Sequence, residues 1–380
     1  MRDAVIVEAV RSPVGKRDGK LSNTLPVRLA ARILKELVSR AHIDPSHVQD
    51  VIMGCVTPMG EQGANIARLA ALQAGFPVEA PAVSINRMCG SSQQAVHFAA
   101  QEILSGDMDV VVAGGIEVMS RVPIGSDWPN QWPPDFPYPL VHQGISAEMM
   151  AEKWQLKRQE LDCFSFDSHV KAAAATRRGD FAREIVPIEV TLPDGQVEAM
   201  TVDEGIRFEP NLDKMGKLQP AFKADGVITA ANSSQISDGA AALLLMSADK
   251  ARELSLKPRA RIVARVVVGS DPVLMLAGPI PATRQVLDRA SLKLDDISAI
   301  EINEAFASVV LAWQKELQPN PALVNPNGGA IALGHPLGAT GAILMTKLLH
   351  HLERTNQRYG LQTMCIGHGM ATATVIERLG

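Results

Sequence analysis

The amino-acid sequence predicts an α/β fold, because strand-like segments and helical patterns alternate along most of its 380 residues. Residues 5–7 form a short apolar run that is typical of a strand. A helix is predicted after Asn23, because Pro26 falls in its first turn and apolar residues recur there at four-residue spacing. These apolar residues are Leu25, Leu29, Ile33 and Leu37.

The alternation continues beyond this first unit. Residues 51–53, 81–85 and 110–113 are predicted strands, and a helix is predicted to begin near Ser91. The apolar positions of this helix are Ala95, Phe98, Ala99 and Ile103. Similar strand–turn elements return at similar spacing in the second half, where residues 299–303 match the placement of residues 51–54. This repetition indicates a duplicated unit.

Residues from about 118 to 240 interrupt the alternation. A stretch of tryptophan, phenylalanine and tyrosine interleaved with proline covers residues 128–139. Because proline lacks a backbone N–H and fixes its own φ angle, we predict neither a helix nor a strand there. The stretch is interpreted as a lid, a contact surface or a surface loop held by its aromatic side chains.

The overall composition excludes several classes of protein. Hydrophobic residues make up 46% of the chain and charged residues 21%, which is typical of a folded globular protein. The net charge of −4 gives no general affinity for nucleic acid, so an anionic ligand needs a local basic site. The sequence contains no apolar run long enough for a membrane span, and residues 1–10 do not resemble a signal peptide.

The four cysteines, Cys55, Cys89, Cys163 and Cys365, are far apart and form no Cys-x-x-Cys pair. This spacing supports neither a disulfide framework nor a zinc site, and we expect no bound metal. A reducing, cytoplasmic location is therefore predicted.

Three short segments place a reactive side chain among small residues, namely 86–92, 334–338 and 365–369. Cys89 lies where a predicted strand turns into a helix, and a helix N-terminus favours thiolate over thiol. The alternative is a small buried cysteine. His335 lies in a glycine-dense turn and is a better candidate base than His42, His47, His350 and His351, which are predicted to face solvent. Cys365 is interpreted as a resolving cysteine, a packing residue or a proton shuttle. Together these groups make acyl-thioester chemistry the first hypothesis.

Several motifs in their order along the chain resemble those of the thiolases, which cleave 3-ketoacyl-coenzyme A or join two acetyl groups. The matching segments are residues 11–15, 86–92, 303–306, 334–338 and 365–367. The resemblance implies a thiolase fold, in which two duplicated α/β halves with mixed five-stranded sheets form αβαβα layers. It also implies three domains: an N-terminal half (1–117), an inserted loop domain that binds coenzyme A (118–247) and a C-terminal half (248–380).

The resemblance also implies roles for individual residues. Cys89 resembles the nucleophile that becomes acylated and His335 resembles the base that activates it. Cys365 resembles the acid and base that exchanges protons with the enolate and the incoming thiol. Asn303 resembles the residue that holds a water beside His335 in one oxyanion site, and the N–H groups of Cys89 and Gly367 resemble the second.

Coenzyme A is implied as a substrate, with no permanently bound cofactor. The positions that match coenzyme A contacts or the acyl pocket of the family are Arg207, Lys214, Ser234, His142, Met275 and Phe306. Residues 235–238 differ locally from the commonest pattern after Ser234, and two further positions depart from the family pattern. Gln143 replaces a methionine of the acetoacetyl-specific branch and His368 replaces a small residue, and both substitutions bear on acyl-chain preference.

The predicted reaction is thiolytic cleavage of 3-ketoacyl-coenzyme A to acetyl-coenzyme A and a shortened acyl-coenzyme A, as in fatty acid β-oxidation. The alternative is an acetoacetyl-specific acetyltransferase that works in the condensing direction with the same residues. A ketoacyl synthase and a non-catalytic scaffold are the rival classes, and Cys365 argues against the first. A homodimer or homotetramer is expected, and association with other β-oxidation enzymes is a further alternative.

Overall fold

The computed structural model describes residues 2–192 and 195–380. The strands are β1 (Ala4–Arg11), β2 (Gly15–Lys16), β3 (Asp50–Gly54), β4 (Ala82–Ile85), β5 (Val110–Val118), β6 (Ile188–Thr191), β7 (Val197–Met200), β8 (Ser237–Ser247), β9 (Ala260–Gly269), β10 (Ala299–Ile302), β11 (Tyr359–Ile366) and β12 (Met370–Arg378). The helices are α1 (Pro26–Arg40), α2 (Ile66–Ala74), α3 (Ser91–Ser105), α4 (Gln143–Lys153), α5 (Arg158–Arg178), α6 (Leu212–Gly216), α7 (Ala248–Glu253), α8 (Pro279–Ala290), α9 (Ala307–Leu317), α10 (Ala330–Leu333) and α11 (Thr340–Thr355).

The predicted α/β elements of the first third are confirmed. Strands β1, β3 and β5 contain the predicted runs, β4 covers residues 82–85 of the predicted run 81–85, and α1 begins at Pro26 with its apolar stripe buried. Helix α3 begins at Ser91, as predicted, and buries Ala95, Ala99 and Ile103. Phe98 differs, because its side chain is 37% exposed rather than part of the core.

The strands follow one path in the order β4-β3-β5-β8-β1-β9-β12-β11-β10. Strands β1 and β9 pair only through Val5–Arg261 and Ile6–Ala260, so this contact joins two sheets. The first sheet has the strand order β4-β3-β5-β8-β1 and the second has the order β10-β11-β12-β9. In the second sheet, Val324 forms a bridge to Ile300 of β10 and takes the place that β4 has in the first, so the two orders match. In the first sheet, β3 and β5 are parallel, whereas β8 is antiparallel to both β5 and β1. In the second sheet, β10 and β11 are parallel, whereas β12 is antiparallel to both β11 and β9. The predicted duplication is confirmed.

Helices α3 and α11 lie between the two sheets and form the central layer. One apolar cluster joins Ile52 and Leu243 of the first sheet to Ala99 of α3, Leu348 of α11 and Ile376 of the second sheet. Separate clusters pack α1 and α2 on the outer face of the first sheet, and α8 and α9 on the outer face of the second. The result is the predicted αβαβα layering. Both central helices begin next to a reactive turn, α3 after Cys89 and α11 after His335.

The segment between β5 and β8 contains α4, α5, α6 and the small β6–β7 hairpin. The predicted loop domain (118–247) also includes β8, which lies between β5 and β1 in the first sheet. All of β8 is buried, because its apolar run pairs on both sides. Residues 119–142, all of which the structure describes, carry neither helix nor strand. The domain boundaries stay a prediction.

The buried guanidinium of Arg11 fixes this segment to the end of β1. Its Nη1 donates to Asp203 Oδ1 over 2.7 Å and its Nε donates to Glu184 Oε1 over 2.6 Å. Asp203 Oδ1 also accepts from the N–H of Val14 over 2.8 Å. A buried charge is tolerated only when it is paired in this way. The first of the matched motifs therefore holds the chain immediately before Arg207.

Within the part of the chain that the structure describes, no helix is long and apolar enough to cross a membrane. The same residues hold no group of three or more His, Cys, Asp or Glu side chains that could bind a metal ion.

Candidate active site

Cys89 lies in a tight turn between β4 and α3 that its neighbours hold in place. Met88 has a φ angle of 46°, which is unusual for a residue other than glycine. Asn86 Oδ1 accepts from the Met88 N–H over 2.8 Å, and the Ser91 hydroxyl donates to the Met88 carbonyl over 2.6 Å. The polar residues of this motif thus stabilise the strained backbone that presents the thiol.

Gly90 lets the end of β11 approach this turn. A Cβ atom on Gly90 would lie 2.3 Å from Ile366 Cδ1, so any other residue would displace Ile366. The residue after Ile366 is Gly367, whose backbone N–H lowers the pKa of the Cys89 thiol. The close contact between the two halves of the molecule therefore supplies a donor to the thiol.

Burial raises the pKa of the Cys89 thiol to about 11, although hydrogen bonds from Gln143, Gly367 and the N–H of Cys89 itself lower it. The expectation of a low-pKa thiolate at a helix N-terminus is wrong, because burial raises the pKa. The reason is that Cys89 is only 4% exposed, and loss of water around a thiolate outweighs the three hydrogen bonds. The thiol needs a base to become a nucleophile.

His335 supplies a neutral base in the same region. Burial lowers the pKa of its imidazole to about 4, so the ring carries no charge near neutral pH. Its Nδ1 lies 2.6 Å from Thr340 Oγ1, and the Thr340 hydroxyl donates to the Pro336 carbonyl over 2.8 Å. Because the single hydroxyl proton is used there, Nδ1 carries the imidazole proton and Nε2 is the unprotonated acceptor.

Asn303 follows β10 and lies beside this unprotonated nitrogen. Its Nδ2 donates to His335 Nε2 over 3.3 Å. Its Oδ1 is buried and has no hydrogen-bond partner among the described residues. A buried amide oxygen without a partner is costly, and it can accept a hydrogen bond from a water molecule or a substrate.

Cys365 lies near the end of β11 and is 1% exposed. Burial and the neighbouring Cys89 raise the pKa of its thiol far above the ordinary value. The electrostatic effect of Cys89 means that the two thiols are close together, as the sequence interpretation required. Cys365 rests as a thiol and has a proton to give.

A cavity of about 860 Å³ opens beside these groups. The predicted site residues that line it are Cys89, His142, Arg207, Ser234, Met275, Phe306, His335 and Gly367. Asn303 and Cys365 do not line it directly and lie just behind it, against His335 and Cys89. Lys214 is different, because it is exposed on α6 and outside the lining. The fold thus brings together all but one of the predicted residues.

The aromatic side of the cavity is formed by stacked rings. The imidazole of His142 stacks on Phe222 with centroids 5.1 Å apart, and Phe222 meets Phe306 edge-on at 6.0 Å. Met275 lies in the apolar cluster that packs α4 against α9. These side chains form a slot for a slender apolar chain.

Lys16 and Arg17 line the cavity together with Arg207, and sequence reasoning did not find them. Their side chains are exposed, so they can reach an anionic ligand. They directly follow the matched motif at residues 11–15, and that position was the available signal. The entrance therefore has three cationic side chains where two were predicted, and Lys214 is not among them.

Sequence reasoning also missed the apolar wall next to Cys89. Val56, Met119 and Leu337 line the cavity, and they belong to the apolar cluster that contains Cys89. Met88 packs against the same cluster. These residues come from separate segments, so no local pattern in the sequence links them.

The aromatic–proline segment lies over the glycine turn that follows Cys365. Trp128 lines the cavity, and its ring centroid is 6.4 Å from that of His368, while Trp132 lies 6.2 Å from the same imidazole. The backbone of His368 has a φ of 61°, which points to a constrained turn. A lid, a contact surface and a surface loop stay predictions for this segment.

The other histidines follow the sequence expectation only in part. His42 and His47 are exposed, as predicted. His350 is buried, its Nε2 contacts the Ala9 carbonyl at 3.2 Å, and burial lowers its pKa to about 3. His351 is half-buried. The expectation failed because α11 is a central helix and is covered on both sides.

The arrangement is suited to acyl transfer through a thioester: a thiol, a neutral imidazole and backbone N–H donors lie at one cavity, and a second thiol lies behind it. The chain belongs to the thiolase family. The model of the thiolase N-terminal domain matches residues 4–249, and the model of the thiolase C-terminal domain matches residues 256–378. The protein is therefore an acyltransferase.

Individual relatives are similar over their whole length. A steroid 3-ketoacyl-CoA thiolase of Mycobacterium tuberculosis is 50% identical, across 100% of this chain and 95% of that protein. A 3-ketoacyl-CoA thiolase of Psychrobacter cryohalolentis is 44% identical, across 100% of this chain and 98% of that protein. The crystal structure of the Bacillus anthracis acetyl-CoA acetyltransferase superposes with a TM-score of 0.93 at 39% identity, covering 100% of this chain and 99% of that one.

Proposed function

We propose that this enzyme cleaves 3-ketoacyl-coenzyme A with coenzyme A, giving acetyl-coenzyme A and an acyl-coenzyme A shortened by two carbons. The observation that carries the proposal is that Cys89 and neutral His335 line one cavity, with protonated Cys365 behind it beside Cys89. This set supplies a nucleophile, its base and a separate proton donor, which are the three groups that the cleavage needs.

In the first half-reaction, His335 Nε2 takes the proton of the Cys89 thiol. The sulfur attacks the β-keto carbon of the substrate, and the bond between its α and β carbons breaks. The electron pair of that bond forms the enolate of acetyl-coenzyme A, which takes a proton from Cys365. The shortened acyl group stays on Cys89 as a thioester. The imidazolium form of His335, which burial disfavours, is balanced by the negative charge of the enolate.

In the second half-reaction, the Cys365 thiolate takes the proton of an incoming coenzyme A. The new thiolate attacks the acyl carbon on Cys89, and the Cys89 sulfur leaves. His335 returns its proton to this sulfur, so both cysteines and the imidazole regain their starting states. Each proton removed is replaced within one cycle, and no oxidant or reductant is required.

Two oxyanions develop at different places, and different donors suit each of them. The N–H groups of Cys89 and Gly367 flank the sulfur, which supports a role toward the tetrahedral oxyanion of the acyl group. For the enolate oxygen, we propose protonated His335 Nε2 and a water held by Asn303. The buried, unpartnered Oδ1 of Asn303 supports this assignment.

Coenzyme A is proposed to enter past the cationic residues and to extend inward along the aromatic slot. Arg207, with Lys16 and Arg17, suits the phosphate groups. Ser234, His142, Met275 and Phe306 suit the slender pantetheine arm. Lys214 is proposed for the outer nucleotide end only, because it lies outside the cavity lining.

The acyl group is proposed to lie on the wall formed by Val56, Met119 and Leu337, because a hydrocarbon chain binds best to apolar side chains. Curated relatives over the full length are named 3-ketoacyl-CoA thiolases, which supports the cleavage direction. The condensing alternative is not favoured. Involvement in fatty acid or related acyl-chain breakdown follows from the same names.

We also propose a homodimer that forms through β4. This strand is the outer edge of the first sheet, and it is only partly buried. Val83 on β4 and the neighbouring Val78 are 43% and 70% exposed, so apolar side chains flank unpaired backbone groups. Static light scattering is expected to give twice the chain mass, and a monomer at micromolar concentration contradicts the proposal. A cytoplasmic location is proposed because the cysteines are free thiols.

The function is tested by thiolysis assays with acetoacetyl-coenzyme A, a longer linear 3-ketoacyl-coenzyme A and one that carries a ring system. The expected result is coenzyme A-dependent cleavage that favours a substrate larger than acetoacetyl-coenzyme A and is absent in Cys89→Ala. Activity with acetoacetyl-coenzyme A alone supports the condensing alternative. Absence of cleavage with all three contradicts the proposed function.

A further inference from the structure

The side chain of Gln143 lines the same cavity as the nucleophile and influences it in a way that the general features of the site do not require. Gln143 is the first residue of α4 and lines the cavity. The Gln143 side chain lowers the pKa of the Cys89 thiol, and both residues line the same cavity. The Gln143 Nε2 atom lies 3.1 Å from the point that a Cβ on Gly367 would occupy, so it is beside the backbone donor of the second half.

We propose that Gln143 is a third N–H donor to the Cys89 sulfur and stabilises its thiolate, both when the sulfur attacks and when it leaves. The proposal rests on the proposed function, in which the sulfur becomes anionic twice in each cycle. The thioether of methionine has no N–H group, so a methionine at this position cannot take this role.

Helix α4 is anchored firmly enough to hold the amide in position. Glu148 accepts hydrogen bonds from the N–H groups of Val227 and Ile228, each over 2.9 Å. The Ser146 hydroxyl donates to the Leu274 carbonyl over 2.7 Å. A Cβ on Gly144 would lie 2.2 Å from the Phe222 ring, so the ring packs directly on the first turn. A donor fixed in this way loses little entropy when the charge develops.

The charges around the sulfur make such a donor valuable. The titratable groups that face or influence Cys89 are His335, Cys365 and Glu117, and each is unable to stabilise a thiolate in the resting enzyme. His335 is neutral, Cys365 would repel it if ionised, and buried Glu117 raises the pKa of Cys89. Uncharged N–H groups are therefore the direct stabilisers, and Gln143 is the side chain among them.

The test measures alkylation of Cys89 by iodoacetamide across a pH series, with the modified residue located by peptide mass spectrometry. Gln143→Met keeps the size of the side chain and removes the donor, and Gln143→Glu keeps its shape and adds a negative charge. We expect the apparent pKa of Cys89 to rise by about one to two units in Gln143→Met and further in Gln143→Glu. Acylation by acetyl-coenzyme A is expected to slow by about 10- to 100-fold.

The matched control is Gln101→Met, the same substitution at an exposed position on α3. We expect it to leave the alkylation profile and the acylation rate unchanged. The KM for coenzyme A is expected to stay within about twofold in Gln143→Met, because the amide contacts sulfur rather than cofactor. Unchanged alkylation and acylation in both Gln143 variants would overturn the proposal.

The same measurements distinguish a purely structural role of Gln143 from a role as a donor to the sulfur. If Gln143 only packs α4, Gln143→Met lowers the melting temperature without changing the apparent pKa of Cys89, and that outcome also overturns the proposal. Alkylation needs no substrate. Failure of the thiolysis assays therefore contradicts the proposed function, while the alkylation profile still decides the role of Gln143.

Discussion

The hydroxyl of Thr340 fixes the tautomer of His335, since it lies 2.6 Å from Nδ1 while its own proton is donated to the Pro336 carbonyl. Thr340 is the first residue of α11, and both side chains are buried. The start of a central helix thus decides which imidazole nitrogen faces the substrate. This relationship makes Thr340 a positioning residue whose loss can be measured.

Thr340→Val keeps the side-chain shape and removes the acceptor for the Nδ1 proton. We expect kcat/KM to fall by about 10- to 100-fold, less than the 10² to 10⁴ expected from loss of the base itself. The control is Thr340→Ser, which restores the hydroxyl and is expected to recover most of the activity. Equal activity of Thr340→Val and the unmodified enzyme contradicts the assignment.

The two thiols are expected to behave differently toward acetyl-coenzyme A. Cys89→Ala removes the nucleophile, so no acetyl group should be added to the protein. Cys365→Ala keeps the nucleophile and its base, so it should be acetylated but fail to exchange protons at the acetyl methyl group. Intact-mass measurement and deuterium exchange test these outcomes. Acetyl mass on Cys89→Ala, with none on Cys365→Ala, would reverse the two roles.

Arg207→Ala is expected to raise the KM for coenzyme A with a smaller effect on kcat, because the entrance is remote from the bonds that change. Lys214→Ala is the comparison, and its effect should be smaller, since Lys214 is exposed outside the cavity lining. Steady-state kinetics with varied coenzyme A measure both. Loss of turnover with unchanged KM in Arg207→Ala shows that the residue does not bind the nucleotide end.

Buried histidines predict a loss of stability in acid. His350 has an ordinary pKa of 6.5 when unfolded and about 3 when folded, where burial excludes the charged form. Between these values the unfolded state binds the extra proton, so the free energy of unfolding falls as the pH falls. The maximum slope is about 1.4 kcal/mol per pH unit for one histidine.

Urea unfolding at a series of pH values below 6.5 measures this slope. His350→Gln is expected to reduce it, whatever the variant does to stability at neutral pH. His47→Gln, at an exposed histidine, is the control and should leave the slope unchanged. Equal slopes in His350→Gln and the unmodified protein contradict the account.

The amino-acid sequence determined the elements whose information is local. The strand, turn and helix around Cys89 lie within residues 82–105. The apolar spacing predicts the strand and the helix, and Gly90 with the polar residues Asn86 and Ser91 stabilises the turn between them. The repetition of similar units along the chain also predicted the duplicated halves. Both features depend on neighbours in sequence, so a linear pattern reveals them.

Only the tertiary structure decided what depends on contacts between distant segments. Val56, Met119 and Leu337 form one apolar wall because three strand ends or turns meet at Cys89. His350 is buried because α11 lies between two sheets, and Cys89 has a raised pKa because the same layers exclude water. Burial is set by the whole packed chain, so the spacing of residues cannot give the charge state of a thiol or an imidazole.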